Sequence, residues 1–328
     1  MTSTVLISLL SMGGLGLLLG GGLAIASKKL AVETDPKVEA VLNLLPGANC
    51  GGCGFPGCAG LAKAIVEGKA AVNSCNACSQ ANAEKIAELV GASAAAKEKA
   101  VARVMCQGSI DKAKLKSEYQ GIKTCRAASM VNGGPKMCPF GCIGFGDCAA
   151  VCPFNAITIG DYGLPIIDEQ RCTGCGICVK ECPKSVIKLT PAKNEVHVRC
   201  QSNLKGKEVR KSCDIGCIGC KQCEKACPFD AIHVVDNVAV IDYEKCRNCM
   251  KCVEKCPTRA ITSAFSQPKK AVINDKCVGC TLCAKKCPVG AISGEVKQKH
   301  VVDQEKCIGC SICAENCRVN AISFVRTE

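Results

Sequence analysis

Five cysteine runs with one shared spacing constrain this chain of 328 residues more than any other feature. Each run has the spacing C-x2-C-x2-C-x3-C, and proline follows the last cysteine in four of the five. Three thiolates two residues apart can bind three corners of a [4Fe–4S] cubane, whereas the fourth lies on a helix and reaches a neighbouring cubane. The runs therefore predict iron–sulphur clusters bound in pairs. Their cysteines are Cys172, Cys175, Cys178 and Cys182; Cys217, Cys220, Cys223 and Cys227; Cys246, Cys249, Cys252 and Cys256; Cys277, Cys280, Cys283 and Cys287; and Cys307, Cys310, Cys313 and Cys317.

A sixth run is irregular, with spacings of three, five and three residues between Cys138, Cys142, Cys148 and Cys152. Phe145 stands where a regular run has its middle cysteine, so we expect Cys138 to supply the missing ligand. Cys213 stands in the same position relative to the next run, but the middle cysteine, Cys220, is present there. We therefore expect Cys213 to be spare.

Neighbouring runs exchange their fourth ligands in this interpretation, which assigns six clusters. The six predicted ligand sets are Cys138, Cys142, Cys148 with Cys182; Cys172, Cys175, Cys178 with Cys152; Cys217, Cys220, Cys223 with Cys256; Cys246, Cys249, Cys252 with Cys227; Cys277, Cys280, Cys283 with Cys317; and Cys307, Cys310, Cys313 with Cys287.

A separate cysteine group near the N-terminus lies in the sequence NCGGCGFPGC and has the spacing C-x2-C-x4-C-x16-C. Its glycines allow tight turns and a close approach of the backbone to the sulphurs. We interpret the group as a seventh [4Fe–4S] site, with Cys78 as the alternative fourth ligand. The expected ligands are Cys50, Cys53, Cys58 and Cys75.

The last cysteines of the six runs repeat at intervals of 30, 45, 29, 31 and 30 residues, which indicates a repeated structural unit. A short apolar segment follows each of them, so each run is expected to form a cysteine loop, a short helix and a hairpin. The segments 164–167 and 238–241 are expected to be the returning strands of two of these hairpins. Such small units bury too little apolar surface to fold alone, so bound metal must stabilise them. The predicted strands are Ala156–Ile159, Val186–Leu189, Ala231–Val234, Ala260–Thr262, Ala291–Ser293 and Ala321–Phe324.

The N-terminal 27 residues carry no charged side chain, and Lys28 and Lys29 follow them. A helix of about 23 apolar residues would be about 35 Å long, enough to cross a bilayer. Because the positive residues follow the helix, we expect a single-pass anchor in the cell membrane with the rest of the chain on the cytoplasmic side. A cleaved signal peptide is the alternative, but the segment lacks a basic start.

The predicted fold class is α+β: an N-terminal transmembrane helix, a small α-rich 4Fe-4S domain and tandem 2[4Fe–4S] ferredoxin-like units. The region 79–100, with Ile86, Leu89 and Val90 at helical spacing, is expected to form a helix. The predicted bounds are 1–27 for the anchor, 28–100 for the N-terminal cluster domain, 101–137 for a linker or small subdomain, and 138–199, 200–264 and 265–328 for three ferredoxin-like units.

Two other chemistries compete with iron–sulphur clusters at these cysteines. Zinc also takes four cysteine ligands, but usually from two separated CxxC pairs, so it is an alternative mainly at the N-terminal group. Disulfides are disfavoured by a cytoplasmic location. The remaining cysteines are expected to be buried apolar residues rather than ligands; they are Cys78, Cys106, Cys125, Cys200 and Cys213.

The formal charge of +13 does not indicate a nucleic-acid partner here. Each [4Fe–4S] cluster with four thiolates carries about −2, so seven clusters would contribute about −14 and nearly cancel the excess. We find no dinucleotide-binding glycine motif, no P-loop and no nucleophile elbow. The three histidines, His197, His233 and His300, have no partnering pattern, so no catalytic residue is expected.

The order of these parts resembles one known family. A glycine-rich anchor, the loop NCGGCGFPGCAGLA, the irregular run KMCPFGCIGFGDCAAVCPFNAI and the first regular run resemble the B subunit of the Rnf complex, an ion-translocating ferredoxin:NAD oxidoreductase. The resemblance covers residues 1 to about 190. The chain departs from shorter members by four further runs, and Arg318 replaces the usual proline.

The resemblance implies an electron-transfer subunit of a membrane-bound translocase. It would receive electrons from soluble ferredoxin and relay them to the membrane core, with partner subunits that bind flavin and NAD. An accessory polyferredoxin that serves another redox enzyme is the alternative. A zinc-stabilised interaction module is a third possibility, which labile sulfide analysis would separate from both.

Overall fold

The computed structural model describes residues 2–29, 35–95 and 98–326. Residues 30–34 and 96–97 of the predicted unit 28–100 lie outside the described residues, as do residue 1 and the last two residues. Helices come first and short strands alternate with short helices afterwards, which confirms the α+β class.

Helices within the described residues are α1 (Thr2–Lys29), α2 (Pro36–Leu44), α3 (Gly57–Val66), α4 (Gln80–Val90), α5 (Cys125–Met130), α6 (Asp147–Ala150), α7 (Ile177–Glu181), α8 (Gly206–Ser212), α9 (Gln222–Ala226), α10 (Lys251–Glu254), α11 (Leu282–Lys286) and α12 (Ile312–Glu315). The strands are β1 (Ala100–Val104), β2 (Ile157–Ile159), β3 (Pro165–Ile167), β4 (Ile187–Pro191), β5 (Val196–Val198), β6 (Ile232–Val235), β7 (Val238–Ile241), β8 (Ile261–Ser263), β9 (Lys270–Ile273), β10 (Ile292–Ser293), β11 (Val301–Val302) and β12 (Ile322–Val325).

The N-terminal helix α1 has 28 residues and ends with Lys28 and Lys29. Large apolar side chains along it are exposed, for example Leu17 at 79 % and Leu18 at 77 %. Within the part of the chain that the structure describes, no helix is both long enough and apolar enough to span a membrane. The helix is present as expected, and its membrane crossing stays a prediction.

Helices α2, α3 and α4 pack into a small α-rich domain. The Asp35 side chain caps α2 by accepting a hydrogen bond from the backbone N–H of Lys37 at 2.8 Å, and Pro36 begins the helix. Ser79 caps α4, which confirms the helix predicted in this region. The helices share an apolar core that includes Val41, Leu61, Ile65 and Ile86.

The remaining chain forms three units, each with two antiparallel two-stranded sheets. One sheet is a local hairpin after the first cysteine run: β2 with β3, β6 with β7, and β10 with β11. The other sheet closes the unit: β1 with β4, β5 with β8, and β9 with β12. The two predicted hairpins are confirmed, but the idea that every cysteine run has its own hairpin is wrong.

The closing sheets correct that idea because they join distant segments. In the first unit, Ala100 pairs with Pro191 and Val104 with Ile187, so a strand ahead of the first run pairs with the strand after the second. The first unit therefore includes β1, upstream of the predicted boundary at residue 138. Each sheet has only two strands, which are marginally stable in water without further packing.

All six runs share one backbone conformation around their third cysteine. The residues four and two positions before that cysteine have positive φ angles in every run, and so does the residue three positions after the last cysteine. At Gly174 a Cβ atom would lie 2.3 Å from the carbonyl oxygen of Ala100, because β1 passes over the cysteine loop. The irregular run has this same backbone, although it lacks a middle cysteine. The residues four positions before the third cysteine are Gly144, Gly174, Gly219, Asn248, Gly279 and Gly309.

Cysteines form a large part of each unit's core. In the first unit, the buried residues Cys142, Cys148, Cys172 and Cys178 pack with aliphatic residues such as Ile187. The second and third units have the same mixed composition. The chain has no tryptophan and few other aromatic residues, so these cores lack the large side chains that usually dominate core stability.

Removing iron should therefore unfold residues 98–326. Without metal, two-stranded sheets and short helices lose the bonds that hold the cysteine loops together. We expect amide hydrogen exchange in β1, β4, β9 and β12 to lose its protection after anaerobic chelation of iron, and the far-UV circular dichroism to fall. An iron-free chain that keeps the same amide protection would contradict this.

Candidate iron–sulphur centres

All 33 cysteines are free thiols and lie within the described residues. The cysteine loops and the first turn of each short helix position them, so that the third cysteine of every run is near the start of a helix. Shared cavities and the effects of neighbouring thiols on each other's pKa group the cysteines, and these groups can be compared with the predicted ligand sets.

The first group corrects a predicted ligand. A small cavity is lined by Cys125, Cys142, Cys148 and Cys182, and Cys138 is not part of its lining. Burial raises the pKa of the Cys148 thiol to about 11, and the neighbouring Cys125 and Cys182 thiols raise it further. Cys182 is thus beside the first run, as the crossed assignment requires, but Cys125 takes the place expected for Cys138.

Helix α5 positions Cys125 at this cavity. The carboxylate of Asp147 accepts hydrogen bonds from the backbone N–H of Cys125 at 2.8 Å and of Arg126 at 3.0 Å. Asp147 itself begins α6, the helix that carries Cys148. The two helix starts are therefore held together by one side chain. Phe145 signalled in the sequence that a ligand must come from elsewhere, but no local spacing identified Cys125.

The second group contains Cys152, Cys172, Cys175 and Cys178. Burial raises the pKa of the Cys178 thiol to about 12, and the neighbouring thiols of Cys175, Cys172, Cys148 and Cys152 contribute to the shift. Cys152, the last cysteine of the irregular run, is therefore beside the second run. Both groups of the first unit have the crossed arrangement.

The second unit repeats this arrangement. A small cavity is lined by Cys227 together with Cys246, Cys249 and Cys252. Burial raises the pKa of Cys223 to about 11, and the thiols of Cys217, Cys220 and Cys256 add to this effect.

In the third unit, Cys287 lines a small cavity with Cys307, Cys310 and Cys313. Cys283 is close to Cys277 and Cys280, whose thiols help to raise its pKa after the larger effect of burial. The Sγ atom of Cys317 accepts a hydrogen bond from the backbone N–H of Ala321 at 3.3 Å.

The N-terminal group is held by α3 and the glycine loop before it. Asn49 Oδ1 accepts a hydrogen bond from the backbone N–H of Cys58 at 2.8 Å. Burial raises the pKa of Cys75, and the charges of Cys53 and Cys50 add to the shift. Cys78 is next to Cys75, but its thiol points to the carbonyl oxygen of Leu44 at 3.9 Å. The geometry favours Cys75 as the fourth member.

These groups fit [4Fe–4S] clusters chemically. Each of the three cavities is lined by four thiols and otherwise mostly by apolar atoms, and each thiolate of a cubane binds a different iron. Backbone N–H groups point at several of the sulphurs: Ala102 at Cys172 (3.4 Å), Ala231 at Cys227 (3.4 Å) and Ala291 at Cys287 (3.2 Å). Such bonds favour the thiolate form and tune the reduction potential of a bound cluster.

A single metal ion needs a tighter arrangement. Within the described residues, no three His, Cys, Asp or Glu side chains are grouped so that they could hold one ion. The assignment of 28 cysteines as ligands stays a prediction. In the corrected set, Cys125 replaces Cys138.

Neighbouring groups are close enough for their charges to interact. The thiol of Cys50 affects the pKa of Cys175, and that of Cys148 affects Cys178. In the second unit Cys223 affects Cys252. Cys249 in the second unit and Cys310 in the third belong to one buried cluster with Ile308. These effects link the N-terminal group to the first unit and the second unit to the third, so the groups form two series rather than separate sites.

Comparison with protein-family models identifies the domains. A family described as "Putative Fe-S cluster" matches residues 45–77. Families described as "4Fe-4S dicluster domain" match residues 138–186, 171–231, 216–261, 239–293 and 271–324. The chain thus contains several 4Fe–4S domains, which cover the six runs, and a separate Fe–S match that covers the N-terminal group.

Curated relatives match most of the chain, and all three described here are B subunits of one kind of complex. One is the B subunit of the Na(+)-translocating ferredoxin:NAD(+) oxidoreductase complex of Acetobacterium woodii. It is 48 % identical over 262 residues, which are 80 % of this chain and 79 % of that relative. The B subunit of the ion-translocating oxidoreductase complex of Methanosarcina acetivorans is 43 % identical, and the match covers 80 % of this chain and 99 % of that relative. The B subunit of the proton-translocating ferredoxin:NAD(+) oxidoreductase complex of Clostridium ljungdahlii is 46 % identical, and the match covers 80 % of this chain and 94 % of that relative.

The crossed arrangement predicts a specific pattern of iron loss. Cys182→Ala should remove the cluster of Cys142 and Cys148, about four irons. Adding Cys142→Ala should then cost no more iron, whereas adding Cys178→Ala should double the loss. Iron and sulfide analysis of anaerobically purified chain measures this. If Cys178→Ala added nothing and Cys142→Ala doubled the loss, the crossing would be wrong.

The replacement of Cys138 by Cys125 as a predicted ligand gives a second test. Cys125→Ala should cost about four irons, and Cys125→Ala with Cys148→Ala should cost the same, because both residues would serve one cluster. Cys78→Ala is a matched control that should keep all iron. Full iron content in Cys125→Ala would restore the sequence-based assignment.

Proposed function

Because the chain belongs to the B-subunit family of ion-translocating ferredoxin:NAD oxidoreductase (Rnf) complexes, we propose that it relays electrons between soluble ferredoxin and the membrane core of such a complex. Its role as an iron–sulphur electron-transfer subunit follows from the family and from the 4Fe–4S domains. The series of neighbouring cysteine groups is the observation that carries the relay. An electron that enters at one end can move in short steps from centre to centre.

The chain's own residues do three things in this relay. The cysteines hold the clusters, which supply one-electron chemistry when bound. The apolar walls around the sulphurs exclude water, and the backbone N–H groups of residues such as Ala102 and Ala291 stabilise negative charge on the sulphurs. No substrate-converting site is needed in this subunit, since the overall oxidoreductase reaction and its coupling to ion translocation would belong to the assembled complex.

Partners follow from the same proposal. Membership of the family implies that other subunits of the complex are partners of this chain. We propose that these partners include the membrane subunits and the subunits that bind flavin and NAD. Soluble ferredoxin would be the exchange partner. About seven [4Fe–4S] clusters are the cofactors in the sequence-based count.

We also propose that α1 anchors the chain in the cell membrane, with the cysteine domains on the cytoplasmic side. Support comes from the uncharged N-terminal segment, the paired Lys28 and Lys29 that follow it, and the exposed apolar side chains of α1. The cytoplasmic side is also where free thiols and iron–sulphur clusters persist.

Deleting residues 1–27 should separate anchoring from cluster binding. The shortened chain should keep its iron and sulfide, because α1 contains no cysteine, but it should leave the membrane fraction and fail to support ferredoxin oxidation by membranes. Fractionation, iron analysis and membrane activity measure the three properties. A shortened chain that still supports membrane-linked ferredoxin oxidation would show that the anchor role is wrong. Co-purification with a different redox enzyme would favour a polyferredoxin instead.

A further inference from the structure

Four cysteines without a place in the corrected centres meet between the first and second units. Two of them follow strands: Cys106 comes after β1 and Cys200 after β5. These strand ends are joined by Arg199, whose Nε donates a hydrogen bond to the carbonyl oxygen of Val104 at 2.8 Å. The two cysteines thereby lie on equivalent strands of neighbouring units.

The other two, Cys138 and Cys213, are brought together by the segment 112–116. The backbone N–H of Met137 donates to Lys114 O at 2.8 Å, that of Lys114 donates to Ser212 O at 3.0 Å, and Ala113 bridges to Cys213. One extended segment therefore lies between the residue before Cys138 and the residue before Cys213. This explains why Cys138 is not beside Cys142 and Cys148.

The Cys106 thiol is close enough to the other three to help raise the pKa of each of them. A Cβ on Gly108 would lie 3.5 Å from Cys106 Sγ and 3.7 Å from Cys213 Sγ, so both sulphurs border one small space. Burial raises the pKa of Cys213, and the thiols of Cys106 and Cys138 raise it further. Burial likewise raises the pKa of Cys200 to about 12, with Cys106 contributing.

Hydrogen bonds to these sulphurs link the group to centres on both sides. Cys106 Sγ accepts from the backbone N–H of Gly108 and from that of Cys142, both at 3.4 Å. Cys142 belongs to the first centre of the first unit. On the other side, the backbone of Cys217, in the first centre of the second unit, hydrogen-bonds to the Cys200 thiol.

Buried positive charge surrounds the group. Lys136 is only 4 % exposed, and its Nζ donates to the carbonyl oxygen of Gly108 at 2.5 Å. Burial lowers the pKa of the Arg199 guanidinium, and the nearby Cys106 thiol opposes that shift. Buried cations are costly unless a negative partner is present, and a cluster with four thiolates would supply about −2.

We propose that Cys106, Cys138, Cys200 and Cys213 bind an eighth [4Fe–4S] cluster at the junction of the first two units. Binding replaces four S–H bonds with four S–Fe bonds and releases four protons. With this site, every cysteine of the chain except Cys78 is a ligand. The junction would otherwise be a break in the series between the centres of Cys142 and Cys217.

The bridging role of this cluster rests on the proposed relay function, whereas its presence does not. In the relay, one electron leaves the reduced neighbouring centre and reduces the junction cluster, which then passes it to the centre on the other side. The donor centre is oxidised and the acceptor reduced by one electron, and no bond to the polypeptide changes.

Iron and acid-labile sulfide counts on the full-length chain, purified without oxygen, test the site. Cys213→Ala should lose about four irons and four sulfides relative to the unmodified chain, and Cys200→Ala the same. Combining Cys138→Ala with Cys213→Ala should lose no more than either change alone, while Cys125→Ala with Cys213→Ala should lose about eight irons. Cys78→Ala should lose none. A misfolded variant would lose far more iron than four, so the combined variants distinguish misfolding from loss of one site.

Two results would overturn the eighth cluster: full iron content in both Cys213→Ala and Cys200→Ala, or one bound zinc that disappears in these variants while iron stays constant. The bridging role has a separate test in the assembled membrane complex. Cys213→Ala should slow ferredoxin-driven electron transfer at least tenfold. If iron falls by about four and the rate is unchanged, the cluster exists but the relay through it is wrong.

Discussion

The bonds between cysteine thiolates and iron are the interaction on which the rest of this structure depends. Each unit has two sheets of two short strands, helices of four to seven residues after the first domain, and a core in which cysteines replace aromatic side chains. Such elements do not hold together on burial alone. The predicted crossed ligation would add a connection, because each cluster would tie one cysteine run to the last cysteine of its partner run and so hold both halves of a unit together. The closing sheets, such as β1 with β4, hold the same two halves from the other side.

The same constraint accounts for function. Clusters that stabilise neighbouring units must lie near one another, and the thiols of one group indeed affect the next, from Cys50 and Cys175 at one end to Cys249 and Cys310 at the other. Apolar surroundings and N–H groups directed at the sulphurs provide the means by which a protein sets cluster potentials. The excess of lysine and arginine matches this arrangement, since eight clusters would carry about −16 against a formal charge of +13.

Local patterns in the sequence predicted the parts that depend on local geometry. The regular runs, the strand after each run and the hairpin of β2 with β3 could all be identified from neighbouring residues. The sequence failed where contacts span long distances. Cys125 reaches its centre through Asp147, and Cys138 is turned away by the segment 112–116. No spacing rule predicts such ligands, because tertiary hydrogen bonds decide which cysteine fills the remaining corner. The extra cysteines are for this reason predicted to be apolar residues, whereas three of them, Cys106, Cys200 and Cys213, lie near Cys138 at the junction of the first two units.

Stepwise reductive titration of oxygen-free, full-length protein, followed by electron paramagnetic resonance together with metal and labile sulfide analysis, tests the central claim most directly. We predict a brown protein with equal amounts of iron and sulfide, and [4Fe–4S]⁺ signals that broaden as reduction proceeds because reduced centres in neighbouring groups interact magnetically. A colourless protein, or one that contains zinc and no labile sulfide, would contradict it.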